Sequence, residues 1–159
     1  MQEQFDALSL HRVGVSGREL TGVSGQTERF TQVRQLGEGS SCITYLALNS
    51  DGHRAVIKEL YPRKLRRLYQ RQSDGSLKLP ERMTLLDRKR IEKAQEAFVR
   101  EYFWQRELQQ SNSFTGGNSP LLYLSGDSLY NVMTYDGEQV TGEEMGDFVR
   151  ECLWQDPPV

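Results

Sequence analysis

The chemistry legible in this chain starts from one lysine and the glycines ahead of it. Gly37 and Gly39 bracket Glu38, and Ser40 follows. A residue without a Cβ lets a backbone turn close on an anion, because it tolerates both an unusual φ and a close approach. Lys58 supplies the point charge that such an anion needs. It ends the run Arg54-Ala55-Val56-Ile57-Lys58, and in a strand Val56 and Lys58 share one face while Ala55 and Ile57 take the other. An apolar residue two places before a lysine on one face suits a flat ring with a phosphate tail. A carboxylate able to hold the lysine lies farther along, at Glu101.

Three kinds of element must position these residues. Alternation from Phe30 to Leu36 and β-branched density from Ile43 to Leu48 predict two strands joined by the glycine turn. Asn49-Ser50-Asp51-Gly52 predicts a hairpin turn in which Asp-Gly supplies positive φ, and the strand ending on Lys58 follows. Glu59-Leu60-Tyr61-Pro62 stops that strand at its proline. Two further hairpins turn at Ser73-Asp74-Gly75-Ser76 and at Ser125-Gly126-Asp127-Ser128. No Gly or Pro interrupts residues 86–110, and Ala94, Ala97, Phe98, Glu101, Trp104, Gln105 and Leu108 fall on neighbouring rows of one helix. An ionised Glu101 on that inward stripe is costly unless a cation meets it, and Lys58 is the natural partner. Glu96 and Glu107 are rivals, but Glu96 lies off the apolar rows and Glu107 leaves little helix beyond it.

The order Leu36-Gly37-x-Gly39-Ser40, then Tyr45, then a strand ending on Lys58 resembles the opening of a protein kinase, of the Ser/Thr type found in bacteria. Cys42 stands at the family's third glycine and Thr44 at its following valine. Tyr130-x-Val132-Met133-x-Tyr135, followed by Asp136-Gly137-Glu138, is similar to the last strand and hinge of the family's N-terminal lobe. The resemblance implies an α+β fold, a twisted antiparallel five-stranded sheet with a long helix packed on it. It also implies an ATP site. Leu36, Thr44 and Val56 would line the adenine, Gly37, Gly39 and Ser40 would cover the phosphates, and Met133 would be the gatekeeper. Thr134 would offer a backbone carbonyl and Asp136 a backbone N–H to the base. Lys58, bonded to Glu101, would face the phosphates, as the family's active state requires. The stretch between them is longer than the family usually shows, which an insertion over residues 61–85 accounts for.

By the same resemblance, residues 1–29 are a polar N-terminal arm, 30–135 the ATP-binding lobe, and 136–159 the hinge and the start of a C-lobe helix. Thr141 and Glu144 have the spacing of a capping box on that helix. The family's catalytic loop and metal-binding motif are not found: His11-Arg12 is followed by Val13, and Asp147-Phe148 by Val149. Phosphoryl transfer from ATP to a protein hydroxyl is therefore expected only with a C-terminal lobe, as is Mg²⁺, and these residues alone are expected to be inactive. Two other readings stay open: a non-catalytic kinase-like module that docks on a partner through apolar surface such as Leu153 and Trp154, and an unrelated small α+β protein.

Composition sets wider bounds. The chain has 159 residues, 36% hydrophobic and 26% charged, the balance of a domain with one core. No apolar run approaches a membrane span, and the first residues lack the basic and apolar parts of a signal peptide, so a cytoplasmic location is expected by default. Cys42, Cys152, His11 and His53 suggest neither a disulfide framework nor a zinc site. Cys42 reads as a small residue replacing a small residue rather than as a redox switch. The net charge of −2 is uneven: Arg63, Lys64, Arg66, Arg67 and Arg71 cluster, while residues 136–156 are mainly acidic. Tyr61 and Tyr69 flank the basic cluster, an arrangement that nucleic acid can use. It reads better as a solvated face. Nucleic acid is not an expected partner, whereas ATP and a protein partner or missing lobe are.

Overall fold

The computed structural model describes residues 19–22, 25–111 and 120–135. Their strands are β1 (Glu19–Gly22), β2 (Thr27–Arg29), β3 (Thr31–Glu38), β4 (Cys42–Leu48), β5 (Arg54–Leu60), β6 (Gln70–Arg71), β7 (Leu77–Lys78), β8 (Leu121–Ser125) and β9 (Ser128–Tyr135). One helix, α1 (Leu85–Ser111), lies between β7 and β8. Seven strands form an antiparallel sheet in the order β2-β1-β8-β9-β5-β4-β3, and β6 and β7 form a separate pair.

The sheet curls, and the chain itself requires it. β2 and β3 lie at opposite ends of the strand order, yet only Phe30 separates them in sequence. Six strand spacings of about 4.8 Å would hold them roughly 29 Å apart in a flat sheet, far beyond the reach of one residue. The curl closes at Phe30, and just beyond it β3 carries an irregularity: Gln32 takes a left-handed φ of 51° within a register shift between Thr31 and Arg34. Seven strands thus replace the five expected. The two additional ones, β1 and β2, come from the stretch read as a polar arm. Leu20 of β1 is fully buried there, in one core with Phe30, Val33, Ile43, Tyr45, Ile57 and Tyr130.

β5 is buried on both faces from Ala55 to Leu60. One face looks into the curl and the other toward α1, where Leu60 and Leu122 pack with Phe98 and Tyr102. Thr84 caps the helix, its Oγ1 accepting from the Asp87 N–H at 3.1 Å. The inward stripe is Ile91, Phe98, Tyr102 and Gln105; Ala97, expected on it, is exposed, and Tyr102 takes the place instead. The rows are rotated slightly from the pattern that small apolar residues suggested.

The insertion packs as part of the domain. Leu65, Leu68, Tyr69 and Leu77 form a third core with Ile91 of α1. Asp127, in the β8–β9 turn, donates its N–H to the Leu77 carbonyl at 2.8 Å and accepts from the Leu79 N–H at 2.8 Å. Gly126 is needed there: its φ is +58°, and a Cβ would lie 2.6 Å from the Leu77 oxygen. Among the described residues no helix is long and apolar enough to cross a membrane.

Candidate functional site

Antiparallel pairing sets Gly37 opposite Thr44, Thr44 opposite Lys58, and Lys58 opposite Asn131. Directly opposed residues share a face, so these four form one row across β3, β4, β5 and β9. The next row on that face is Leu46, Val56 and Met133. Thr44, Val56 and Met133 are buried.

Lys58 Nζ donates to Glu101 Oε1 at 2.8 Å, with the two side chains 11% and 15% exposed. The same carboxylate oxygen accepts from Gln105 Nε2 at 3.4 Å, and Gln105 Oε1 accepts from Asn131 Nδ2 at 2.7 Å. A cation, a carboxylate and two amides thus run from the sheet to one turn of α1 and back. Helical spacing of four residues puts Glu101 and Gln105 on one face, which lets both reach the row. Glu96 and Glu107, the rival carboxylates, are exposed.

The remaining predicted residues fall around this row. Leu36 is half-buried on β3, at a shift in register between Gln35 and Gly37. Thr134 lies opposite Ala55, one step off the row. Asp136, the rest of the hinge, the capping box at Thr141 and the apolar pair Leu153 and Trp154 lie outside the described residues.

The glycine turn differs from expectation in its backbone. Positive φ occurs among the described glycines at Gly25, Gly52, Gly75 and Gly126, and not at Gly37 or Gly39. The turn instead closes the β3–β4 hairpin and prolongs the β4–β5 ladder. The Gly39 N–H donates to the Cys42 carbonyl at 2.8 Å, the Tyr61 N–H to the Ser41 carbonyl at 2.9 Å, and the Arg63 N–H to the Ser40 carbonyl at 2.8 Å. A Cβ at Gly39 would have nothing nearer than the Cys42 oxygen at 3.9 Å. What the glycine provides here is open space over the backbone rather than access to a left-handed conformation. The hairpin turn at Asn49 does follow its expected chemistry: Gly52 has φ +81°, and Asn49 Oδ1 accepts from the N–H groups of Asp51 and His53 at 3.0 and 2.8 Å.

Cys42 is half-buried beside Lys58, and burial pushes its thiol up to about 12 even though the lysine pulls the other way. A basic neighbour absent from the local sequence is therefore present in space, and desolvation outweighs it. A thiol so far above neutral pH is a poor nucleophile.

A second polar cluster, on the opposite face of β5, escaped the sequence reading. Glu59 is fully buried. Arg71 grips it with two bonds of 2.8 Å, and the hydroxyls of Tyr45 and Tyr130 donate to it at 2.8 and 2.7 Å. Burial, then the neighbouring carboxylate, drives the Tyr45 phenol far up. Desolvation pulls against the Arg71 charge, but the bonds to Glu59 prevail and its pKa is raised. Arg71 is accordingly no part of a solvated face. Of the other clustered arginines, Arg67 holds Asp87 and Arg66 pairs with Glu38. The alternation that found Lys58 also placed Glu59 with Ala55 and Ile57, so a buried carboxylate demanding a cation was the available signal.

The donor set on the Lys58 row fits an anion. An ammonium has three donors, of which Glu101 takes one, and the Thr44 hydroxyl shares the row. The apolar row of Leu46, Val56 and Met133 beside it fits a flat ring. No protein-family model, curated protein or solved structure matches the chain.

Proposed function

We propose that this chain is the ATP-binding lobe of a protein-kinase-like phosphotransferase, acting with a second lobe supplied by further chain or by a partner. The observation that carries the reading is the bond from Lys58 to Glu101, made between the third strand of the glycine-turn hairpins and the long helix. A lysine held this way keeps its charge fixed and leaves two donors for phosphate oxygens. Glu101 is itself oriented by Gln105, so the lysine is positioned by α1 rather than by a mobile loop. Val56 and Met133 would take the adenine, and open backbone at Gly39 would admit the phosphates. Bound ATP supplies the phosphoryl group. Orienting an acceptor hydroxyl and holding Mg²⁺ call for groups that these residues do not provide at matched positions, hence the second lobe.

One observation favours a second reading, a kinase-like module without catalysis. The glycine turn spends its Gly39 N–H and its Ser40 and Ser41 carbonyls on main-chain bonds, which holds it toward Tyr61 and Arg63.

The test is thermal unfolding with and without Mg-ATP. Ligand at one hundred times its Kd stabilises by about 2.7 kcal/mol, an upward shift of several degrees for a domain of this size. Lys58→Met, with its folding checked by circular dichroism, is expected to lose that shift. An equal shift in the variant contradicts the site.

A further inference from the structure

The basic stretch after β5 does not all serve the fold. Arg66, Arg67 and Arg71 each meet a carboxylate, Glu38, Asp87 and Glu59 respectively. Arg63 and Lys64 do not; among the described residues neither they nor Lys93 makes an ion pair. These three, with Arg90, line a concavity of about 900 Å³ that Ser40 and Ser41 line as well. Pro62, Leu65 and Ala94 are its apolar part, the first two buried.

The arrangement is held in place. Arg63 and Lys64 stand on a single 3-10 turn, Arg63–Leu65, closed by the Leu65 N–H donating to the Pro62 carbonyl at 3.0 Å. The Arg63 N–H fixes that turn to Ser40 at 2.8 Å. Arg90 and Lys93 stand three residues apart on α1 and therefore on one face of it. Arg90 lies 3.7 Å from the Asp87 carboxylate, which already takes two bonds from Arg67, at 2.5 and 3.1 Å. Four cations thus line one hollow, and among the described residues only Arg90 of the four makes an ion pair, with a carboxylate that Arg67 already holds. Like charges gathered this way repel, and a dianion entering between them relieves the repulsion and gains charge-assisted bonds.

Two macromolecular ligands carry such charge. Nucleic acid needs exposed rings for its bases or an extended basic track. The aromatics of this stretch are not available: Tyr69 is fully buried and stacks edge-on against Tyr61, whose ring is covered by the guanidinium groups of Arg66 and Arg71. What remains is a compact hollow with an apolar floor. We infer that it is a docking site for a phosphorylated peptide segment, its phosphate held by Arg63, Lys64, Arg90 and Lys93 and an apolar neighbouring side chain seated on Pro62 and Leu65. The site is separate from the Lys58 row and does not depend on the reading of that row.

The probe is a fluorescently labelled short peptide with phosphoserine followed by leucine, measured by anisotropy against the whole chain. The unphosphorylated twin is expected to bind at least tenfold more weakly, and Arg63→Gln/Lys93→Gln to lose at least tenfold for the phosphopeptide. Both side chains are exposed, so folding is not at stake, and circular dichroism verifies it. Equal binding of the twin, unchanged binding by the double variant, or no binding of the phosphopeptide overturns the inference. A single-stranded oligonucleotide that binds more tightly than the phosphopeptide, and loses affinity in the double variant, reassigns the hollow to nucleic acid and overturns it as well.

Discussion

Glu59→Ala is expected to cost a large share of the stability of the domain. The carboxylate is fully buried and satisfies a guanidinium and two phenols at once. Its removal leaves the Arg71 charge without a counter-ion and two hydroxyls without an acceptor. Breaking a buried pair in this way costs about 3–5 kcal/mol, against a total of about 5–15 kcal/mol for an ordinary domain. Urea unfolding should show the midpoint falling by a third or more, or no cooperative transition at all. Because a buried ion pair and an apolar replacement of similar volume are often nearly equal in stability, Glu59→Leu with Arg71→Met should recover part of the loss that either single change incurs. A loss below about 1 kcal/mol for Glu59→Ala, the net value of a single ordinary intramolecular hydrogen bond, contradicts the role assigned to the cluster.

Glu101→Ala acts on the second cluster and separates stability from binding. It strands the Lys58 ammonium on a mostly buried face and frees the Gln105 amide, which together should cost about 2 kcal/mol, at the level of an unsatisfied buried group. The lysine also loses what fixes it, so affinity for Mg-ATP is expected to fall at least tenfold. The double change Lys58→Met/Glu101→Leu removes both charges together and should regain much of the stability while binding no nucleotide. That split is the informative outcome, since residues in contact are the ones whose effects fail to add. If the double change restored nucleotide-dependent stabilisation as well, the pair would be structural and the site would lie elsewhere.

The two clusters rest on the same physics, yet only one was legible in the sequence. Glu101 stood out because no Gly or Pro interrupts its helix and its neighbours on the inward rows are apolar, so its burial and its need for a cation could be argued locally. Lys58 stood out because the strand run after the glycine turn leads to it, although β5 continues to Leu60. Glu59 adjoins Lys58 in sequence and read as the end of that strand, although period-two alternation places it with Ala55 and Ile57 inside the curl. Its partner was hidden in a run of arginines, and the turn that brings Arg71 back under β5 depends on the packing of Leu65, Leu68 and Tyr69 against α1. Long-range meetings of that kind leave little periodic trace.

The same holds for β1 and β2. Their sequences are short and polar, with Leu20 the fully buried hydrophobic side chain of β1, and their place in the sheet follows from closure of the curl at Phe30. The glycine turn shows the converse. Its composition suggested positive φ, whereas the turn extends a ladder and leaves Gly39 with room above it. Composition indicates that a backbone is permissive without indicating which of the permitted conformations the neighbours select.

The most direct test of the ATP-binding assignment is chemical. An acyl-phosphate derivative of ATP transfers its acyl group to a lysine lying beside the bound phosphates, and peptide mass spectrometry identifies which one. The account predicts that Lys58 is acylated faster than the exposed Lys89, that excess Mg-ATP protects Lys58 and not Lys89, and that the preference disappears in Glu101→Ala. Acylation of Lys58 no faster than of Lys89, or indifferent to Mg-ATP, would show that the row of Gly37, Thr44, Lys58 and Asn131 does not hold a nucleotide.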